Sequence, residues 1–345
     1  MVQPGGSTAG AVERIRQLLQ LDRNAQALEA AGAELATHPD DPDVLELASI
    51  AARRLGQLEE AVALAEQAVA AGPDDDAAHG VLADAQLTAG HVDQAVRTAY
   101  RAVELRPGHW LHHVRYAQCL MAHPRGRETA WLAAQRAVEL APGESIAHHM
   151  IADVAYGKGM GTPEQLAIAE AALREALRLS PENAGLLNDL ARVRLARSDN
   201  AAALKGFADA VVTDPTGVGA VALRNLRLVL RRVVVIQTLI TLAGIVVSSG
   251  LAGPNPSIGS RLAVVVLALA LTGFIVLRWR TVLGGASARI VIPQVFRGAR
   301  RLTAAFTSVA LAIAAMILGV FLPGEGFANA MGAAAILSLV ALLCA

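Results

Sequence analysis

An all-α fold of stacked helix pairs that runs into an apolar C-terminal region is what this 345-residue sequence predicts. Three observations carry the prediction. Prolines recur at Pro39, Pro73, Pro107, Pro142, Pro181 and Pro215, at spacings of 34, 34, 35, 39 and 34, the period of a two-helix unit stacked on copies of itself. Twelve residues before each proline stands an alanine: Ala27, Ala61, Ala95, Ala130, Ala169 and Ala203. From Val233 onward the chain loses its charge, and no ionisable residue appears again until Arg261.

Each unit follows from residue chemistry. A proline cannot continue a helix, so it ends the second helix of every copy. Small residues let the two helices of a pair approach closely, and a second alanine row at Ala68, Ala102, Ala137, Ala176 and Ala210 repeats that feature; the first copy has Glu34 instead. In the best copies Gly56 and Gly90 supply the tight turn between helices. Glu59, Glu60 and Asp93 then fall in the first turn of the next helix, where the helix dipole favours negative charge. On the first helices, Leu82 with Ala83, Tyr116 with Ala117, Ile151 with Ala152 and Leu190 with Ala191 face a neighbouring helix. Departures fall in turns: copy four inserts HPRGRE and copy five YGKGMGTPEQ. There Thr162, Pro163 and Gln165 read as N-cap, first-turn proline and capping-box partner.

These residues resemble the tetratricopeptide repeat (TPR) family over about residues 8–217, in six copies of which the first is degenerate, as terminal solenoid repeats often are. The resemblance implies an all-α TPR helix-turn-helix solenoid whose concave face binds protein segments. It places Glu46, Ile50, Arg53, Gly80, Asp84, Leu87, Val114, Gln118, Met121, His149, Asp153, Tyr156, Asn188 and Arg192 on that face. Only Asn188 and Arg192 approach the Lys and Asn pattern with which some members clamp a C-terminal carboxylate. The mixture of apolar and acidic groups suits a partner segment with apolar anchors and positive charge.

Charge divides the chain. Residues 1–217 carry 29 Asp and Glu against 19 Lys and Arg, a net of −10, while residues 218–345 carry 11 Arg against Glu325 alone, a net of +10. An acidic repeat region offers nucleic acid no phosphate-neutralising surface, which sets that partner aside. Arg224, Arg227, Arg231 and Arg232 lead into four apolar segments at about 233–251, 262–277, 303–322 and 327–344. About 20 apolar residues match a hydrocarbon core of about 30 Å, so these segments are expected to be transmembrane helices. Ten of the eleven arginines lie before the first segment or in the 278–302 loop. The positive-inside rule therefore predicts a multi-pass protein of the cell membrane, with the repeats and both termini cytoplasmic. The expected organisation is a flexible leader at 1–10, a solenoid at 11–217, a basic capping or juxtamembrane helix at 218–232 and a four-helix membrane region at 233–345.

The chemistry-bearing residues are read as structural. No basic n-region precedes an apolar core at the N-terminus, and Cys119 and Cys344 make no disulfide framework. His109 and His113 share a helix face, yet no cysteine or carboxylate completes a metal set by spacing, and His79, His113 and His148 occupy equivalent places on successive first helices. Packing is therefore the reading, with no metal and no cofactor. Lys158 in YGKGMGT lies between helices, unlike a phosphate-binding loop. The membrane segments hold no Asp, Glu, Lys, Arg or His, which disfavours a transporter carrying a regulatory TPR domain. The expected function is a non-enzymatic, membrane-anchored TPR scaffold or adaptor that binds a protein partner at the cytoplasmic face. An accessory subunit of a multi-component membrane complex is the alternative, with the lipid bilayer and other membrane proteins as further partners.

Overall fold

The structure, a computed structural model, describes residues 5–157, 161–252, 266, 270, 285–297, 299–319, 322 and 324–344. Among them every regular element is an α-helix. The chain forms two compact units, Met1–Pro181 and Glu182–Ala345.

The first unit is five helix pairs: α1 (Gly5–Gln20) with α2 (Asn24–Leu35), α3 (Pro42–Arg54) with α4 (Leu58–Ala71), α5 (Asp76–Thr88) with α6 (Val92–Leu105), α7 (Trp110–Ala122) with α8 (Arg127–Leu140), and α9 (Ser145–Tyr156) with α10 (Pro163–Leu179). The periodic alanines sit at the tightest points. Ala27, Ala61, Ala95, Ala130 and Ala169 are completely buried, as are Ala68, Ala137 and Ala176. Where no Cβ-branched side chain intrudes, backbone and hydroxyl groups meet directly: Ser49 Oγ on α3 donates to the Ala61 carbonyl on α4 at 2.8 Å.

Local signals fix the helix ends. Asp41 accepts from Val44 N at 3.2 Å ahead of Pro42, Asp75 accepts from Ala77 N at 2.8 Å, and Thr162 with Gln165 closes a full capping box. Helices α3 and α5 end in glycines with positive φ, Gly56 at 79° and Gly90 at 86°. Each makes a paired turn: Gly56 N to Arg53 O with Gln57 N to Ala52 O, and Gly90 N to Leu87 O with His91 N to Gln86 O. This closure satisfies the last helix carbonyls. Asp22 ends α1 in the same left-handed conformation, at 56°. Helix α1 begins at Gly5, so residues 5–10, expected as flexible, are helical; each glycine in a helix costs only about 1 kcal/mol.

The second unit opens with the sixth pair, α11 (Ala184–Ala196) and α12 (Asn200–Thr213), followed by α13 (Val218–Ala252), α14 (Gly285–Phe296), α15 (Arg300–Gly319) and α16 (Gly324–Cys344). Asp214 starts α13 by accepting from Gly217 N at 2.8 Å and Val218 N at 2.7 Å. Leu226, Val229 and Leu230 of α13 then pack with Phe207 of α12 and with Val291 and Val295 of α14.

The multi-pass membrane localisation, with repeats and termini cytoplasmic, is overturned: among the described residues no helix is long and apolar enough to cross a membrane. The expected segment 262–277 lies outside the described residues apart from Val266 and Ala270, as do 253–260 and 278–284. Hydropathy misled because an apolar stretch reads alike whether it meets lipid or other helices. One arginine of the expected basic capping or juxtamembrane helix makes protein contacts. Arg227 Nε donates to Val295 O, and its Nη2 donates to Gln294 O and Arg297 O, each at 2.9 Å, capping the end of α14. Helices α15 and α16 turn Ala312, Met331 and Ala334 towards each other, with Ser308 and Ser338 also buried, while Leu311, Leu318, Ile336 and Leu339 are exposed.

Candidate functional site

In the first unit the first helices of successive pairs, α3, α5, α7 and α9, stand side by side. They place Glu46, Ile50 and Arg53 on α3, Asp84 and Leu87 on α5, Gln118 and Met121 on α7, and His149, Asp153 and Tyr156 on α9. Gln118 and Asp153 are exposed, and the other eight are partly exposed. Four predicted residues fall elsewhere. Gly80 of α5 is buried. Val114 is 1% exposed and belongs to the core with Ala117, Ala134 and Met150. Asn188 and Arg192 belong to the second unit: Asn188 is 6% exposed and its side-chain oxygen accepts from Asn225 of α13 at 3.0 Å, while Arg192 pairs with Asp189 at 3.1 Å.

The charges on this face are organised rather than simply solvated. Arg115 of α7 reaches across to Asp84 of α5 at 3.1 Å, with both side chains partly buried. Its guanidinium lies over Gly80, where an added Cβ would come within 2.6 Å of Nη1. His149 lies 3.6 Å from Asp153 one turn on. At the α3 end, burial together with Asp75 and Asp43 raises the Glu46 carboxyl from 4.5 to about 7. The Cys119 thiol is buried behind the face and pushed up to about 12, chiefly by that burial, which leaves it unreactive.

The histidines divide into two groups. His79, His113 and His148 each donate Nε2 to the carbonyl of the proline six residues earlier, Pro73, Pro107 and Pro142, at 2.9, 2.8 and 2.9 Å. They tie each first helix to the turn before it, which is the structural role their equivalent positions imply. His109 and His112 do otherwise. His112 is 1% exposed and bonds through Nε2 to Asp76 Oδ2 at 2.6 Å, and the His109 ring lies 4.5 Å away, centroid to centroid. A carboxylate does therefore join the histidines, contrary to the reading from spacing: Asp76 comes from the start of α5, one repeat earlier. The available signal was the repeat period itself, since residues one unit apart share a helix position and these helices are neighbours.

Burial pushes the Asp76 carboxyl up, but the His112 hydrogen bond and the Arg106 guanidinium outweigh it, so its net shift is down. Burial lowers the His112 imidazole further than the Asp76 contact raises it. Near neutral pH the pair is thus carboxylate and neutral imidazole, with His112 Nε2–H donating and Nδ1 carrying a bare lone pair.

TPR profiles match residues 52–99, and 81–145 with 164–218. Among solved structures, a thermophilic TPR protein of Thermus thermophilus is 24% identical over 51% of this chain and 95% of its own, at a TM-score of 0.45. A chain of the APC/C hetero-tetramer Cut9-Hcn1 is 16% identical over 62% of this chain and 41% of its own, at a TM-score of 0.53. YrrB, described as a TPR protein with an unusual peptide-binding site, is 16% identical over 58% of this chain and 100% of its own, at 0.38. No curated protein matches the chain. Profile matches, periodic buried alanines and paired helices agree: residues 52–145 and 164–218 of this chain are tetratricopeptide repeats.

Proposed function

We propose that this chain is a non-enzymatic adaptor, in which the face formed by α3, α5, α7 and α9 holds a segment of a partner protein bearing large apolar residues and Lys or Arg. The observation that carries this reading is the composition of that face: partly exposed Ile50, Leu87, Met121 and Tyr156 are interleaved with Glu46, Gln118 and Asp153 across four adjacent helices. Apolar anchors of this kind supply most of the affinity at protein interfaces. The net charge of −10 over residues 1–217 and the crowding of Asp43 and Asp75 around Glu46 supply attraction for a cationic segment, acting mainly on partner choice and association rate. The role is recruitment and needs no cofactor.

The test is selection of peptides from a random displayed library on the full-length chain. Enrichment for sequences combining Lys or Arg with large apolar residues is expected. Binding of the selected peptides should weaken in Leu87→Ala/Met121→Ala, and in Glu46→Lys with an altered salt dependence. Peptides that bind all variants equally would remove this face as the binding surface.

A further inference from the structure

Asp76, His109 and His112 each bring a ligand atom within 4.8 Å of the other two, where the start of α5 meets the start of α7. We propose that this trio is a binding site for a divalent transition-metal ion of the Zn2+ class, ligated by the Asp76 carboxylate and one nitrogen from each imidazole.

The donor set fits such an ion, since imidazole and carboxylate are its common ligands and three protein ligands leave a fourth position for water. The carboxylate is already apportioned. Arg106 Nη2 lies 3.0 Å from Asp76 Oδ1, which leaves Oδ2 directed at His112. A metal here takes the place of the proton now shared between Oδ2 and Nε2. Ligand atoms of a tetrahedral zinc site lie about 3.3 Å apart, so Asp76 Oδ2 and His112 Nε2, now 2.6 Å apart, have to open slightly, and partly exposed His109, whose ligand atom lies within 4.8 Å of both, is the side chain that moves in.

A second observation concerns how the imidazoles of the repeats are hydrogen-bonded. His109 Nδ1 and His112 Nδ1 are both buried without a hydrogen-bond partner among the described residues, as are His79 Nδ1 and His91 Nδ1, so it is the Nε2 atoms that tell the rings apart. His79, His113 and His148 all spend Nε2 on a proline carbonyl; His109 and His112 have no such bond among the described residues. Because Asp76 and His112 lie on first helices of successive repeats, a bound ion would cross-link the third and fourth helix pairs and stabilise the folded chain over the unfolded one.

The test uses the full-length chain without a polyhistidine tag, stripped with chelator and titrated with Co2+ and then Zn2+. One Co2+ per chain should bind with the visible absorption of a low-coordinate site, Zn2+ should displace it, and Zn2+ should raise Tm. His109→Ala should keep its far-ultraviolet circular dichroism yet lose at least about 100-fold in Zn2+ affinity, since loss even of an outer-shell partner costs about 10- to 100-fold. Asp76→Asn should do the same, and His148→Ala should bind like wild type. Wild-type binding no tighter than that of His109→Ala, or a Zn2+-dependent rise in Tm that survives in His109→Ala, would overturn the proposal.

Discussion

The repeat register makes a sharp demand on three alanines. Ala95 on α6 is completely buried and packs with Ala83, Ala99 and Cys119, all fully buried themselves, under Leu87, Val96 and Tyr116. Ala169 on α10 is equally buried, whereas Ala77, one residue into α5, is exposed. Replacing alanine with leucine adds three carbons. At Ala95 no void among small, close-packed neighbours receives them, so side chains leave their rotamers or the helices move apart, at about 1–3 kcal/mol. For a unit of about 150–250 residues each kcal/mol lowers Tm by about 2–4 °C, so Ala95→Leu and Ala169→Leu should each lose several degrees. At Ala77 the leucine projects into water and should change stability by no more than about 0.5 kcal/mol. Thermal melting followed by circular dichroism on the full chain decides the matter. Equal shifts for all three would mean that the helix faces are wrongly assigned.

Three further outcomes are expected. Arg227→Ala removes three bonds to the carbonyls ending α14 and should cost about 2 kcal/mol, seen as faster amide exchange in 285–297. Arg227→Lys should not restore protection, because an ammonium lacks the planar fork; rescue by lysine would refute the capping role. Ser198 ends α11 at a φ of 64°, in the turn that Gly90 makes without strain, and a left-handed L-residue costs about 1–2 kcal/mol. Ser198→Gly should therefore raise Tm and Gly90→Ser lower it, and shifts of the opposite signs would contradict the assignment. Glu46 titrates near 7 in the folded state against 4.5, so the folded chain holds this proton more tightly. Its contribution to stability is complete below 4.5 and is lost as pH rises through about 7. Between pH 4.5 and 8 in metal-free buffer, wild type should lose stability relative to Glu46→Gln, and parallel pH profiles would show that this carboxyl does not carry the shift.

The repeats were legible because their signals are local and periodic. Pro39 to Pro215 end helices by their own covalent geometry, Ala61 and Ala95 announce close approach by size, and Gly56 and Gly90 announce a left-handed turn. Face assignment was less legible. The family pattern put Val114 on the open face, yet side chains one position apart on a helix diverge by about 100°, and the small neighbours Ala117 and Ala134 draw Val114 into the core. Asn188 could not be placed from its own repeat, since its partner Asn225 lies on a helix beyond the periodic region. The Asp76, His109 and His112 cluster was missed because its members are 33 and 36 residues apart, with no motif spacing to mark them. The apolar C-terminal region was misread because composition cannot say what a leucine faces. In the expected spans Ala312 packs with Met331 and Ala334 while Leu311 and Leu339 are exposed, whereas Leu226 and Leu230, in the expected capping or juxtamembrane helix, do cover Phe207 of the last repeat.

The central claim, that α3, α5, α7 and α9 present the partner-binding face, is tested most directly by site-specific cross-linking. A photoreactive residue replaces exposed Gln118 on α7 in one variant and exposed Leu132 on α8 in another, and each is irradiated with a peptide selected on the wild-type chain. Efficient cross-linking from position 118, abolished by excess unlabelled peptide, with none from position 132, is the predicted result. Cross-linking from position 132 and not from 118 would contradict it.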